Sequence, residues 1–168
     1  MQEIETTRLL LRQFTLNDLE ELYRLYSDGE VMRYIGLCSK KETEARLLSI
    51  LKHWQTHDLG MWAVIHKDHQ KLIGRCGLIF LDNTSEVEIG YLLDKAYWHQ
   101  GLATEAALAV LKYGFEIIQL KRIVAIAKPE NIASRRVMEK SGMKYEKNAY
   151  FYKTHVVYYA INCSDFSG

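Results

Sequence analysis

Apolar residues along this chain recur with two different periods, and the changes of period divide it into helices and strands. Steps of three and four predict helices, and steps of two predict strands. The predicted helices cover residues 16–27, 41–57, 100–118 and 131–141. The predicted strands cover residues 7–14, 61–66, 71–81, 86–93, 122–127, 143–147 and 151–161. Short polar turns favour antiparallel neighbours, so the pattern indicates a mostly antiparallel sheet with helices inserted between its strands, α+β or mixed α/β.

Residues 86–107 are the strongest candidate for a functional site. Val87, Ile89 and Tyr91 alternate along a strand, and the small residues Gly101 and Ala103 introduce the next helix. The first N–H groups of a helix lack intrahelical partners and carry the positive end of its dipole, so they suit an anion such as a pyrophosphate. The alternative interpretation is an ordinary strand-to-helix turn with small residues for packing.

Composition narrows the class of protein. With 168 residues, 48% hydrophobic and 26% charged, we expect one globular domain over residues 1–168. The net charge of +1 gives no global attraction to nucleic acid or an anionic membrane. Neither a membrane-spanning run nor a signal-peptide layout is visible. Cys38, Cys76 and Cys163 are widely spaced, which predicts free thiols in a reducing cytoplasm. Monomer and homodimer both stay open.

Four stretches in the right order resemble the GNAT superfamily of acyl-CoA-dependent N-acetyltransferases, and within it the ribosomal-protein N-terminal acetyltransferases. They are the opening strand 7–12 (TRLLLR), the acyl-CoA motif 88–91 (EIGY) with 97–106 (YWHQGLATEA), the helix motif 131–143 (NIASRRVMEKSGM), and an aromatic last strand with Tyr152 and 156–161. Trp98 stands at the first position of the pyrophosphate loop, where the family pattern has Gln or Arg, a departure that the resembled branch commonly shows.

The resemblance implies a mixed, mostly antiparallel sheet of about seven strands with helices on both faces. Two parallel neighbours, ending near Leu93 and spanning 122–127, would splay apart around acetyl-CoA as co-substrate, with no metal. The cofactor-binding residues it implies are Tyr91, Leu92, Leu93, Trp98, His99, Gln100, Gly101, Leu102, Ala103, Thr104, Asn131 and Arg136.

Acetyl transfer to an amine needs a base for the ammonium and a proton for the leaving thiolate. Glu88 is the candidate base, with a solvated strand glutamate as the alternative. A main-chain N–H near Leu92 would stabilise the carbonyl oxygen as negative charge develops. Many family members use a helix tyrosine as the acid, but Met138 occupies that position here. Ser134 is the candidate acid by resemblance, and support of an Asn131 helix cap is its alternative.

Other readings of the chain compete with an amine acetyltransferase. Met138 keeps open a non-catalytic acyl-CoA-binding module, and Cys76 as an acyl-transfer nucleophile would need a nearby base. His53 and His57 lie four apart but have Trp54 where a zinc protease has glutamate. Small amines, polyamines, antibiotics and protein N-termini all remain compatible acceptors. The expected acceptor wall is 26–41, together with the aromatic residues Tyr150, Tyr152, Tyr158 and Tyr159.

Overall fold

A computed structural model describes residues 2–168, which form one eight-stranded sheet and four α-helices. The strands are β1 (Ile4–Glu5), β2 (Leu9–Gln13), β3 (Met61–His66), β4 (Lys71–Phe80), β5 (Val87–Leu93), β6 (Arg122–Ala127), β7 (Lys144–Phe151) and β8 (Thr154–Asn162). The helices are α1 (Leu19–Tyr26), α2 (Lys40–His57), α3 (Leu102–Glu116) and α4 (Ile132–Lys140). The strand order is β1-β2-β3-β4-β5-β6-β8-β7.

The two central strands β5 and β6 are parallel neighbours, whereas the other neighbouring pairs are antiparallel. Within the described chain β5 and β6 are in register at Glu88 and Val124 only. Beyond that pair the strands separate towards their carboxyl ends, and α3 connects them in sequence. The expected splay in a mostly antiparallel sheet is therefore confirmed.

Both faces of the sheet are covered, because side chains alternate along each strand. Trp62 and Val64 of β3 join the core under α3, whereas Met61 and Ala63 join the core under α1 and α2. In α3, Val110 and Leu111 are both fully buried, so this helix is enclosed around much of its circumference. Helices on both faces are thus confirmed. No helix within residues 2–168 combines the length and the apolar character that a membrane span requires.

The C-terminal hairpin differs from the prediction. Asn148 was expected to lie between two strands, but it lies within β7 opposite Val157. The turn is formed by Tyr152 and Lys153, whose φ angles are 50° and 60°. A tight hairpin needs left-handed residues there, and glycine or asparagine normally supplies them. Since neither residue type marks this turn, the polar pattern misplaced it. The two-residue strand β1 was not predicted either.

Candidate active site

A cavity of about 570 Å³ lies where β5 and β6 separate. Its wall combines the end of β5, the first turns of α3 and α4, and the turns after α1. The predicted cofactor residues on this wall are Tyr91, Leu92, Leu93, Trp98, His99, Gly101, Leu102, Ala103, Thr104, Asn131 and Arg136. Ser134 also lies on it. The structure does not bring Gln100 or Glu88 to this wall.

The N-terminus of α3 is open towards the cavity. Gly101 is its N-cap with φ of 76°, a left-handed conformation that favours glycine, and no side chain caps the helix. In contrast, Ser39 caps α2 and Asn131 caps α4. Because the first N–H groups of α3 are left without a side-chain acceptor, they are available to an anion.

Arg8 fixes the loop in front of α3 from the neighbouring strand. Its Nε donates to Glu105 Oε2 at 2.7 Å, and its Nη1 donates to the carbonyl of Gln100 at 2.8 Å. Thr6 Oγ1 also donates to Glu105 at 2.6 Å. Burial favours protonated Glu105, but the hydrogen bonds from Thr6 and Arg8 outweigh it and hold the pKa of this carboxyl below its usual value. The carbonyl of Gln100 is thus bound to Arg8, and its side-chain amide donates to the carbonyl of Ala96 at 3.3 Å. Gln100 does not line the cavity, which differs from the sequence-based expectation.

Trp98 anchors the same loop to β5. Its indole Nε1 donates to the carbonyl oxygen of Leu93 at 2.9 Å. A side chain at the position where the family pattern has Gln or Arg thus supports the loop through the main chain of the predicted cofactor strand.

Ser134 contacts the side chain of Tyr91 across the cavity wall. Ser134 Oγ donates to Tyr91 Oη at 3.1 Å, and Tyr91 Oη donates to the carbonyl of Ser134 at 2.6 Å. Burial raises the pKa of the tyrosine above its usual value. Asn131 Oδ1 accepts from the Ser134 N–H at 3.2 Å, which is the helix-cap contact. The side chain of Tyr91 was missed from the sequence, because only its main chain was expected to act.

Glu88 lies on the opposite face of β5, at the residue where β5 and β6 still pair. Its side chain is buried, with 6% of the residue exposed, and it accepts a hydrogen bond from Tyr152 Oη at 2.6 Å. Burial raises the pKa of Glu88 to about 7. A strand glutamate that simply faced solvent would show neither the burial nor this shift, so the structure does not support that alternative.

Tyr152 is held by a second contact from the β4–β5 turn. Its N–H donates to Asp82 Oδ2 at 2.9 Å, and its hydroxyl accepts from the Asp82 N–H at 2.8 Å. Of the other aromatic residues expected to form an acceptor wall, Tyr150 is exposed, whereas Tyr158 and Tyr159 are buried and bond to Glu86 and Glu139. Only Tyr152 of this group contacts Glu88 in the described chain.

The structure argues against Met138 as part of the site and against Cys76 as an acyl-transfer nucleophile. Met138 is buried in the core at 1% exposure, and the cavity wall does not include it. Burial raises the pKa of the Cys76 thiol to about 12, so it is protonated at neutral pH. His53 Nδ1 contacts the carbonyl of Leu59 at 2.8 Å.

The family model described as an acetyltransferase (GNAT) domain matches residues 8–144. The chain belongs to the GNAT acetyltransferase family. Among its relatives, the Bacillus subtilis N-acetyltransferase YnaD is 37% identical over 145 residues, covering 85% of this chain and 83% of YnaD. A GNAT-family acetyltransferase from Bacillus anthracis is 32% identical, with a TM-score of 0.84 over 97% of this chain and 99% of that one.

A more distant neighbour shows the same fold with its cofactor product. RimL, a ribosomal L7/L12 α-N-protein acetyltransferase solved with coenzyme A, is 18% identical, with a TM-score of 0.82 over 96% of this chain and 98% of RimL. Family membership makes this chain an acetyl-CoA-dependent acetyltransferase. It favours an enzyme over a binding module that transfers nothing.

The cavity of this GNAT protein fits an anionic cofactor. Arg33, Arg136 and Lys140 lie on its wall, which also includes the open N-terminus of α3. Within residues 2–168 none of the three forms an ion pair with a carboxylate, as the ion pairs involve other cations. Part of the segment expected to face the acceptor, including Arg33 and Tyr34, also lines this cavity.

Proposed function

We propose that this protein is an N-acetyltransferase that transfers the acetyl group of acetyl-CoA to a primary amine by direct attack in a ternary complex. A protein N-terminal α-amine is one candidate acceptor. The pyrophosphate would accept hydrogen bonds from the N–H groups at the start of α3, from Gly101 to Thr104. The main chain of Tyr91, Leu92 and Leu93 would bind the pantetheine arm, with Asn131 and Arg136 contributing from α4.

The observation that carries this proposal is Glu88, a buried carboxyl with a pKa of about 7 at the start of the gap between β5 and β6. A general base works best when its pKa lies near the working pH. Its face of β5 is opposite the face that carries the cofactor cavity. The acceptor would therefore approach the thioester through the gap from the α1 side.

In the reaction, Glu88 takes a proton from the acceptor ammonium, directly or through a water. The neutral nitrogen then attacks the thioester carbonyl carbon, and the N–C bond forms as the C–S bond breaks. The nitrogen loses its second proton to solvent, which leaves the neutral amide. A main-chain N–H near Leu92 would stabilise the negative charge on the carbonyl oxygen. The leaving thiolate takes a proton from Ser134, whose hydroxyl is regenerated through Tyr91 or from solvent. Because the Cys76 thiol is buried and protonated, direct transfer is favoured over an acyl-cysteine.

The test is turnover with a panel of primary amines, followed by acetyl-CoA loss and by mass of the acetylated product. Glu88→Gln should lower kcat by about 100-fold or more, because general-base catalysis contributes about 10²–10⁴-fold. The dissociation constant for acetyl-CoA should stay unchanged. A variant that turns over at the normal rate would remove Glu88 from the mechanism, and absence of acetylated product with every amine would overturn the proposed function.

A further inference from the structure

The α1 face of the sheet carries an arginine whose donors are largely unused. Arg75 of β4 is half-buried, and its Nε is fully buried without a hydrogen-bond partner anywhere in residues 2–168. Its recorded polar contact is a weak one, from Nη1 to Met61 Sδ at 3.7 Å. A buried polar group without a partner is costly, and a guanidinium offers a planar fork suited to a carboxylate.

Other half-buried arginines of this protein are not left in this state. Arg12 forms a two-pronged pair with Asp18, at 2.9 Å for each hydrogen bond. Arg8 pairs with Glu105 at 2.7 Å. Arg75, in contrast, has no carboxylate oxygen within ion-pair distance among the described residues. The unused fork is therefore a feature of this position and not of arginines in this sheet generally.

The guanidinium of Arg75 is nevertheless fixed in place. It lies 5.7 Å from the ring centre of Tyr26, a fully buried residue of α1. The guanidinium of Arg46 from α2 lies 5.6 Å from the same ring centre, and it too forms no ion pair in the described chain. Two cations thus share one aromatic ring with no anion between them, which favours binding of an anion from outside the chain.

This cationic site lies beside Glu88. Arg75, Gly77 and Ile79 of β4 face the same side as Leu92, Gly90 and Glu88, their register partners on β5. Gly90 adds no side chain, and a Cβ placed there would lie 2.8 Å from the methyl of the flexible Met61 side chain and 3.8 Å from Arg75 Nη1. The end of the Met61 side chain and the Arg75 guanidinium behind it therefore both lie near Gly90, which is the next position on this face after Glu88. Positions two apart on a strand are on the order of 7 Å apart, so one small molecule can reach both groups.

We propose that Arg75, supported by Arg46, binds a carboxylate of the acceptor while its amine is presented to Glu88. The substrate class is then a primary amine with a carboxylate a few bonds away, as in a free amino acid or in a peptide with an acidic residue next to its free N-terminus. This inference rests on the proposed function, because it assigns the acceptor of that same reaction. It makes Arg75 a specificity-determining residue and leaves the cofactor side unchanged.

The test compares acceptors that differ only in charge, namely amino acids with their methyl esters and amides. A second arm compares short peptides with Asp or Asn at their second position. The wild-type protein should prefer the carboxylate member by roughly 10- to 150-fold in kcat/KM, since a hydrogen bond to a charged group contributes about that factor. Preference in the first arm alone identifies free amino acids, and preference in the second arm identifies acidic peptides.

Arg75→Gln should abolish that preference, mostly through the KM of the carboxylate acceptors. Because Arg75 also lowers the pKa of Glu88, the carboxylate and ester rates are compared with each other at one pH within each variant. Arg75→Lys should restore part of it, because charge without the fork is retained. Lys52→Gln removes an exposed charge from the helix that carries Arg46 and is the matched control. It should leave the preference intact. The thermal shift with an N-acetylated amino acid product gives a second readout that needs no turnover, and it should disappear in Arg75→Gln.

The outcomes separate this inference from the proposed function. Equal rates with the charged and neutral members, or a preference that survives in Arg75→Gln, would overturn the carboxylate assignment while amine acetylation stands. Failure to acetylate any amine would overturn both.

Discussion

The two faces of β5 present different kinds of chemistry. Towards α3 the site consists mainly of main-chain groups: the open helix N-terminus behind Gly101 and the end of β5 at Tyr91–Leu93. Towards α1 it consists of side chains, with Glu88 held by Tyr152 and Arg75 held by Tyr26. A cofactor shared by a whole family can be bound by main-chain groups that are the same in every sequence. An acceptor that differs between enzymes has to be recognised by side chains.

The largest expected effect is on acetyl-CoA affinity, at the N-terminus of α3. Gly101→Val places a β-branched residue at a φ of 76°, a conformation that costs L-residues about 1–2 kcal/mol and disturbs the first turn of α3. We expect the affinity for acetyl-CoA to fall by about 100-fold or more. The measurement is thermal stability with and without acetyl-CoA, where a ligand at about 100 times its dissociation constant adds about 2.7 kcal/mol.

Gly142→Val is the matched control for this variant. Gly142 also has a positive φ, of 90°, but it lies after α4 and outside the cavity wall. It should lose stability and keep the acetyl-CoA shift. Loss of the shift in both variants would show that strain alone explains the effect, and the difference between the two faces would lose its support.

A second prediction concerns the stability cost of the buried carboxyl at Glu88. Its pKa is about 7 when folded and 4.5 ordinarily, so between these values the folded protein holds a proton that the unfolded chain has released. The stability contributed by this group therefore falls as pH rises from about 4.5 to about 7, and it is constant above. The full change amounts to roughly 3 kcal/mol.

Glu88→Gln should remove this pH dependence and should stabilise the protein at pH 8 by up to roughly 3 kcal/mol, while it lowers turnover. Urea unfolding of the wild type and the variant at pH 5 and pH 8 measures the pH dependence and the stabilisation. A variant that is less stable than the wild type at pH 8 would contradict the claim that burial of the Glu88 carboxylate destabilises the folded protein.

A smaller effect is expected from Ser134→Ala. The hydroxyl donates to Tyr91 and lies on the cavity wall, so its loss removes the proposed proton donor without changing the N-cap provided by Asn131. We expect kcat to fall about tenfold, less than for the base, because a thiolate with an ordinary pKa near 8.5 is already an adequate leaving group. Steady-state kinetics at saturating acetyl-CoA measure this, and an unchanged kcat would assign the proton to another group.

The smallest expected effect concerns Tyr152, which contacts Glu88 on the α1 face of β5. Tyr152→Phe removes the hydrogen bond that holds the pKa of Glu88 down, so the pKa should rise by roughly one unit. The acidic limb of the pH–rate profile should move towards alkaline pH by the same amount. Tyr150→Phe is the control on the same hairpin: the Tyr150 ring packs edge-to-face with His155, its hydroxyl forms no hydrogen bond with Glu88, and the profile should stay in place. Identical pH–rate profiles for the two variants would show that Tyr152 does not influence the pKa of the catalytic base.

Much of the fold could be predicted because it depends on local pattern. The apolar, β-branched runs of β3 and β6 predicted both strands at their observed bounds, and the apolar stripe of α2 predicted that helix within one residue. Besides the short strand β1, the main exception is the β7–β8 hairpin, whose turn at Tyr152 and Lys153 is stabilised by contacts of Tyr152 with Asp82 and Glu88, about 70 residues away. A contact of that kind leaves no local signal in the sequence.

The site divides in the same way. The glycine at the start of α3 predicts a main-chain anion site, and the family resemblance predicts the same position. The pairing of Arg8 with Glu105 joins residues 97 positions apart, and nothing in the pattern around either one indicates the other. In the local sequence pattern, Arg75 is only a polar residue within a predicted strand. Only the register of β4 and β5 brings it beside Glu88.

The most direct test of the whole account is the pH dependence of kcat/KM for the acceptor amine at saturating acetyl-CoA, measured in parallel for the wild type and Glu88→Gln. If Glu88 is the base on the acceptor face, the wild-type rate rises with pH and bends near its pKa of about 7. The variant should lack that bend and should retain only the rise that the acceptor amine itself causes at higher pH. A bend near pH 7 that persists in Glu88→Gln would place the base elsewhere and would contradict the division of chemistry between the two faces of β5.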